Sequence, residues 1–254
     1  MQRKTAVFIP VRLGSTRLPG KALLDLMGKP AIVHLVERLQ LAKLPDEIVI
    51  CTTKESSDDP LMKVAEDCGI RLVRGSKDDL LERYHQAALE TEVDFIVNVD
   101  GDDILVDPEQ VDQVAELLLE SSADFVKCEG LPFGGAPVGI SADALFKVCA
   151  SKEASDTATG WSNFFTDPAK FKQKTLVIDD EELRHPEIRM TLDYKEDFEF
   201  FKAVFAELYS PGNPVRLRDA IGLIVSRPDI RKINSGLDET YWAHFNSQLP
   251  ASLR

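Results

Sequence analysis

Short apolar runs alternate along the first half of the chain with stretches whose apolar positions recur every three or four residues. Residues 6–9, 47–53, 70–73, 94–99 and 124–128 are brief, rich in β-branched side chains, and predict strands. Between them, Ile32, Leu35, Val36, Leu39 and Ala42 share one helical face that Pro45 ends. Leu61, Val64, Ala65 and Cys68 follow Pro60 and stop at Gly69. Leu80, Leu81, Tyr84, Ala87 and Ala88 follow Ser76 and Asp79, a capping-box spacing, and Val111, Val114 and Leu118 follow Asp107-Pro108. Strands alternating with helices of this length predict parallel pairing through right-handed crossovers, hence an α/β class with a doubly wound, mostly parallel sheet. In such sheets ligands bind beyond the carboxyl ends of the strands. The loop after the first strand and the loop after the fourth then share one rim.

Beyond residue 128 the pattern is less regular. Residues 130–139 are rich in Gly and Pro and predict a loop, and 141–150 a short capped helix. Residues 154–174 are polar with scattered aromatics (Trp161, Phe164, Phe165, Phe171), which suits an insertion, a lid or a contact between copies. Residues 188–192 predict a strand leading to Asp193; Phe198, Phe201, Phe205 and Leu208 form a helical stripe facing a core; 217–225 predict another helix. The tail, 234–254, has no clear period. With no internal repeat and no low-complexity linker, 1–254 reads as a single domain in which 130–186 is an insertion or dimerisation region.

A hydrophobic content of 44% with 29% charged residues fits a folded globular chain, and no apolar run approaches a membrane span. The first apolar run is too short for a signal-peptide core, and the four cysteines are scattered without a CxxC pair; both suit a reducing cytoplasm. The net charge of −13 argues against non-specific nucleic-acid binding.

That acidity makes the segment after the first strand conspicuous. Arg12, Arg17, Lys21 and Lys29 stand against the lone Asp25, among Gly14, Ser15 and Gly20. A strand emptying into a Gly-bearing basic loop places backbone N–H groups and cations where phosphate can sit. The spacing is neither a P-loop, since Ala22 follows Lys21, nor GxGxxG. Asp100, Asp102 and Asp103 follow the fourth strand, and carboxylates facing a phosphate loop are suited to holding Mg²⁺ beside phosphate oxygens. A solvated basic loop and a solvated acidic turn are the plain alternatives for each taken singly.

The run R-x-G-S-T-R-L-P-G-K, Arg12 to Lys21, resembles the N-terminal signature of the CMP-Kdo synthetase and acylneuraminate cytidylyltransferase superfamily, closest to its spore-coat-polysaccharide branch. The resemblance implies a Rossmann-like nucleotidyltransferase fold of the GT-A type. It also implies a homodimer that uses CTP and Mg²⁺ to make a CMP-activated acidic or modified sugar, releasing pyrophosphate. It places Arg12, Gly14, Ser15, Arg17 and Lys21 on the nucleotide, with Arg12, Lys21 and Asp102 catalytic. Gly101-Asp102-Asp103 is similar to the family's Gly-Asp-Glu, which makes Asp102 a metal ligand. Thr191 to Asp197 matches T-[LVI]-D-x-x-E-D, which makes Asp193 the second; without the resemblance, Asp193 reads as the N-cap of the next helix. Arg74-Gly75-Ser76 resembles the segment that contacts the cytidine. Asp100 stands where relatives carry Gln or a small polar residue, and Ile104 where the spore-coat branch has Pro. A carboxylate at Asp100 repels an acidic sugar unless it meets a metal or an amino group, so Asp100 reads as substrate-selecting. Asp100-Gly101-Asp102 also spells the D-x-D of metal-dependent glycosyltransferases, one alternative reading; a non-catalytic nucleotide-binding scaffold is another. No general base stands out: His34, His85, His185 and His244 lie in no recognisable catalytic setting.

Overall fold

A computed structural model describes residues 3–250, so the extreme ends of the single-domain span, and of the tail, lie outside the described residues. At its centre is strand β1 (Thr5–Pro10), buried along nearly its whole length. Alternate residues serve opposite faces, as a strand's period of two requires. Val7 and Ile9 join one core cluster, Ala6 and Phe8 the other. After a two-residue hairpin, β2 (Asp25–Leu26) and β3 (Lys29–Pro30), the chain enters helix α1 (Ala31–Leu39). Strand β4 (Glu47–Thr53), helix α2 (Pro60–Cys68), strand β5 (Arg71–Gly75), helix α3 (Leu80–Thr91), strand β6 (Phe95–Asn98) and helix α4 (Pro108–Ser121) then alternate. β4 and β6 flank β1, both parallel to it, and β5 pairs parallel with β4.

The second half completes the same sheet. Strand β7 (Phe125–Glu129), β8 (Val138–Ser141) and β9 (Gln173–Val177) give a seven-stranded order of β5-β4-β1-β6-β8-β7-β9, with β8 antiparallel to both neighbours. Helices α1, α2 and α4 cover one face; α3 and α5 (Ala142–Ser151) cover the other. Helices α6 (Lys195–Leu208), α7 (Leu217–Ser226) and α8 (Pro228–Arg231) build a third cluster with Leu26, Ile104 and Leu131. Helix α9 (Leu237–Gln248) closes the described chain with no residue fully buried. The architecture is α/β, Rossmann-like and mostly parallel. Among the described residues no helix is long and apolar enough to cross a membrane.

Four local expectations change. The Gly- and Pro-rich 130–139 ends in β8: a Cβ at Gly139 would lie 2.8 Å from Leu118 Cδ1, so the glycine that looks like a loop signal is what lets α4 pack against that strand. Of the aromatics in 154–174, Trp161, Phe165 and Phe171 are buried in the cluster that holds Phe125, and Phe164 packs half-buried against it. Residues 188–192 form no strand; they run beside Phe133 through a single bridge, with Phe133 N donating to Ile188 O at 2.9 Å and Met190 N to Phe133 O at 2.7 Å. Gly134, at φ +89° and with Met190 O 2.7 Å from where a Cβ would stand, turns the chain away after that one contact. The aperiodic tail contains α9, whose apolar residues meet the cleft rim rather than a core.

Candidate active site

A cleft of about 460 Å³ opens where β1 and β6 end. Its first wall is the basic loop. Leu13 N donates to Asp58 Oδ1 at 2.7 Å, Gly20 N to Leu13 O at 2.9 Å and Leu18 N to Ser15 Oγ at 3.3 Å. Asp58 is 1% exposed and also accepts from Thr53 Oγ1, so a buried carboxylate fixes the loop to the end of β4. Arg12, Ser15, Arg17 and Lys21 line the cleft.

The second wall is the acidic loop. Asp100, Asp102 and Asp103 each offer a carboxylate oxygen within 4.8 Å of the others. Gly101 makes this approach possible: a Cβ there would lie 2.8 Å from Val11 Cβ and 3.0 Å from Pro10 O. Asn98 Nδ2 donates to Asp100 Oδ1 at 3.1 Å, and Tyr84, from α3, donates to Asn98 Oδ1.

Asp193 arrives from the far side. Leu192 N donates to Asp102 O at 3.0 Å, joining the two segments. The capping role expected of Asp193 falls to Asp197, whose Oδ2 accepts from the N–H groups of Asp193 and Tyr194, each at 3.0 Å. Asp197 is fully buried and also accepts from Arg189 Nε at 2.9 Å, Arg189 Nη2 at 3.0 Å and Asn234 Nδ2 at 2.9 Å. With Asp197 taking these bonds, the Asp193 carboxylate turns to the cleft. There it accepts from Lys21 Nζ at 2.9 Å, from Arg17, and from Arg189 Nη2 at 3.3 Å. Lys21 Nζ simultaneously pairs with Asp102. Asp102 and Asp193, ninety-one positions apart in sequence, therefore converge on one cationic centre.

The charges set one another. Burial alone would lower the Lys21 ammonium, but Asp102 and Asp193 hold it above its ordinary value. Burial would raise the Asp193 carboxyl, and Lys21, Arg17 and Arg189 hold it below the usual range. At Asp100 the balance goes the other way: burial and the Asp102 charge push it up to about 6 against the opposing pull of Asn98 and Lys21. Asp103 goes well above its ordinary value for the same two reasons, with Asp100 adding to them.

The structure gathers Arg12, Ser15, Arg17, Lys21, Asp100, Asp102 and Asp193 around one cleft. It does not bring Arg74, Gly75 and Ser76 there. Arg74 donates to Thr53 O and Glu55 O, each at 2.8 Å, and to Asp59 at 2.7 Å. Gly75 packs against Arg83, and Ser76 Oγ accepts from Asp79 N at 3.1 Å. Gly14 does not line the cleft, and a Cβ there would meet nothing within 4 Å. Sequence reasoning missed the supports, Asp58, Asn98, Arg189 and Asp197, since nothing local distinguishes a buried bracing carboxylate from a helix cap. It also missed the outer wall: Thr159, Trp161 and Ser162 on one side, Tyr241, His244 and Phe245 on the other. Thr157 pins the first of these, donating to Asp79 Oδ1 at 2.8 Å and accepting from Leu81 N at 3.0 Å.

A parallel sheet with a basic loop after its first strand, facing converging carboxylates after its fourth, is the arrangement of a nucleotidyltransferase. The model of the cytidylyltransferase family matches residues 6–208, and the chain belongs to that family. It is 29% identical over 203 residues to the spore coat polysaccharide biosynthesis protein SpsF of Bacillus subtilis, covering 78% of this chain and 84% of that one. A solved cytidylyltransferase from Leptospira borgpetersenii superposes with a TM-score of 0.82 at 27% identity, over 91% of this chain and 98% of that one. A CMP:2-keto-3-deoxy-manno-octonic acid synthetase solved with CTP shares the fold, with a TM-score of 0.62 at 16% identity, over 80% and 99% of the two chains.

Proposed function

We propose that the chain transfers CMP from CTP to a hydroxyl of a sugar or sugar acid, making an activated precursor for surface polysaccharide. The observation that carries this reading is the Lys21 bridge between Asp102 and Asp193 beside the basic loop. One side of the cleft is built for polyphosphate and the other for a cation. An acceptor hydroxyl oxygen attacks the α-phosphorus, the bond from phosphorus to the α,β-bridging oxygen breaks with its electron pair leaving on pyrophosphate, and the hydroxyl proton passes to solvent. Arg12, Arg17 and Lys21 stabilise the charge that accumulates on the triphosphate. Two carboxylates that already converge on one ammonium fit a divalent ion, and an all-oxygen donor set favours magnesium. That ion, held by Asp102 and Asp193, would supply charge neutralisation at the phosphates.

Pyrophosphate release with each NTP, Mg²⁺ and a sugar panel tests the reading. Release specific to CTP is expected. Sugar transfer from a nucleotide-sugar without pyrophosphate would instead make it a D-x-D glycosyltransferase, and nucleotide binding with no turnover a scaffold. Asp102→Asn is expected to abolish metal-dependent turnover, an amide being a poor ligand for a hard cation. Asp100→Gln is expected to keep metal dependence and change the acceptor; the reverse pattern refutes the ligand assignment. The scattered free thiols suit a reducing cytoplasm. Homodimerisation rests on the resemblance, because Trp161, Phe165 and Phe171 are buried within the chain's own core; light scattering showing a monomer at micromolar concentration would refute it.

A further inference from the structure

Asp193 is oriented by side chains from separate segments of the chain. Its Oδ1 accepts from Arg17 and from Lys21 Nζ at 2.9 Å, and its Oδ2 from Arg189 Nη2 at 3.3 Å. Lys21 is shared with Asp102, so the two guanidiniums are what set the direction of this carboxylate. Arg189 is anchored from beneath, where the fully buried Asp197 accepts from its Nε at 2.9 Å and its Nη2 at 3.0 Å. Arg17 reaches Asp193 from the basic loop, and rings hold its guanidinium: the carbon lies over the Tyr194 ring at 5.5 Å and over the Tyr241 ring at 5.4 Å. Tyr194 adjoins Asp193 in the chain and meets Arg189 as well, at 5.7 Å. Tyr241 comes from elsewhere and also faces both arginines, standing 5.0 Å from the Arg189 guanidinium.

Tyr241 belongs to α9, in the part of the chain beyond the family match, which ends at residue 208. Tyr241, His244, Phe245 and Gln248 line the cleft at helical spacing, so one face of α9 is turned to it. The helix has no buried residue, and its place rests on contacts at its surface. Phe133 lies 5.0 Å from the Tyr241 ring and 5.7 Å from that of Trp242. Asp238, in the first turn, stands 3.7 Å from Arg189 Nη1, a buried atom without a hydrogen bond. α9 therefore sets a ring on both of the arginines that grip Asp193 and a carboxylate beside one of them. A guanidinium over an aromatic face is drawn to the negative face of the ring, and its planar fork loses freedom that it keeps beside an aliphatic side chain.

We propose that Tyr241 is a positioning residue for the cation half of the cleft: its ring keeps Arg17 and Arg189 on Asp193, and so keeps that carboxylate aimed where the divalent ion is held. This deepens the cytidylyl-transfer reading and rests on it. The ring is the working part, so phenylalanine should serve in its place. Leucine fills similar apolar space without a π face and should not. Trp242 is the control on the same helix: it packs on Phe133, is 47% exposed, and its replacement loosens α9 without touching either arginine's ring contacts.

The test uses the full chain and needs no acceptor. Calorimetry first measures CTP binding in metal-free buffer. MnCl₂ is then titrated into the CTP complex and the bound ion read from the loss of the free Mn²⁺ resonance signal. Tyr241→Leu is expected to weaken Mn²⁺ binding about fivefold or more, the scale of a desolvated cation–π contact, with CTP affinity held within about twofold. Tyr241→Phe and Trp242→Leu are each expected to match wild type within about twofold. Because Tyr241 acts largely through Arg17, adding Tyr241→Leu to Arg17→Met should weaken Mn²⁺ by clearly less than Tyr241→Leu does alone. Mn²⁺ binding unmoved by Tyr241→Leu, no rescue by Tyr241→Phe, or an equal loss in Trp242→Leu overturns the proposal. So does full additivity with Arg17→Met, a CTP affinity that falls as far as that for Mn²⁺, a CTP complex that takes up no Mn²⁺, or a Tyr241→Leu chain whose thermal melt shows it unfolded, which makes the ring merely structural. Each of these leaves the nucleotide reading standing, whereas absence of CTP binding by the wild type overturns both.

Discussion

Lys21→Ala separates a structural ammonium from a merely solvated one. A loop lysine exposed to water contributes almost nothing to stability. Lys21 is 12% exposed and pairs with Asp193, 3% exposed, and Asp102, 23% exposed. Removing one partner of a buried pair costs about 3–5 kcal/mol; Asp102 is partly wet and Arg17 and Arg189 still hold Asp193, so about 2–3 kcal/mol is expected. For a chain of this size that lowers Tm by about 5–10 °C. The pH dependence follows from Asp193, whose carboxyl the surrounding cations depress. Its stabilisation is present above the ordinary carboxylate pKa and lost as pH falls through the folded value. The deficit of the variant should therefore be full at pH 7.5 and shrink only as pH falls below the ordinary carboxylate value of 3.8. Excess MgCl₂ should raise the Tm of the variant more than that of the wild type, since the ion would restore positive charge between the same two carboxylates. Turnover should fall by about 10²–10³-fold, the scale for losing one preorganised charge at a phosphoryl centre. Thermal melts with and without Mg²⁺, beside pyrophosphate release, read all of this. A Tm identical to wild type, with no differential response to Mg²⁺, would sink the bridging role.

Asp197→Ala would strip Arg189 and Asn234 of a shared fully buried acceptor and should cost about 3–5 kcal/mol, read as a lower urea midpoint; a midpoint unchanged from wild type would deny it the bracing role. Asp100→Asn should stabilise the metal-free protein by on the order of 2 kcal/mol at pH 8, because the raised carboxyl is costly when charged. That advantage should shrink as pH falls through about 6, where Asp100 takes up its proton, and a pH-independent Tm difference would contradict the shift. Thr157→Val removes two hydrogen bonds holding the 158–162 wall and should cost about 1–2 kcal/mol, with earlier proteolysis in that segment; equal proteolysis rates would show the wall to be held otherwise.

Much of the fold is written locally. The five apolar runs of the first half and the helical stripes between them force a parallel sheet, and with it the meeting of the Arg12–Lys21 loop and the Asp100–Asp103 loop at one rim. The second half is less legible because its strands break the rules that make strands visible. β8 runs antiparallel through a Gly- and Pro-bearing stretch, and β9 is flanked by polar sequence. The 188–192 run looks like a strand, yet a single bridge to Phe133 satisfies it, as the turn at Gly134 offers no further partner.

The sequence by itself therefore determined the chemistry available: which loop carries the cations, which carries the carboxylates, and that both follow strands. Periodicity and residue type are local properties, and local properties suffice for that. Tertiary structure decided the assignments. Only folding shows Asp193 facing the cleft while Asp197 takes the capping bonds, since both are aspartates at the start of one helix. Only folding places Lys21 between Asp102 and Asp193, or Asp58 beneath Leu13. These contacts join residues far apart along the chain, and burial, which sets the charge state of each, exists only once the elements have packed.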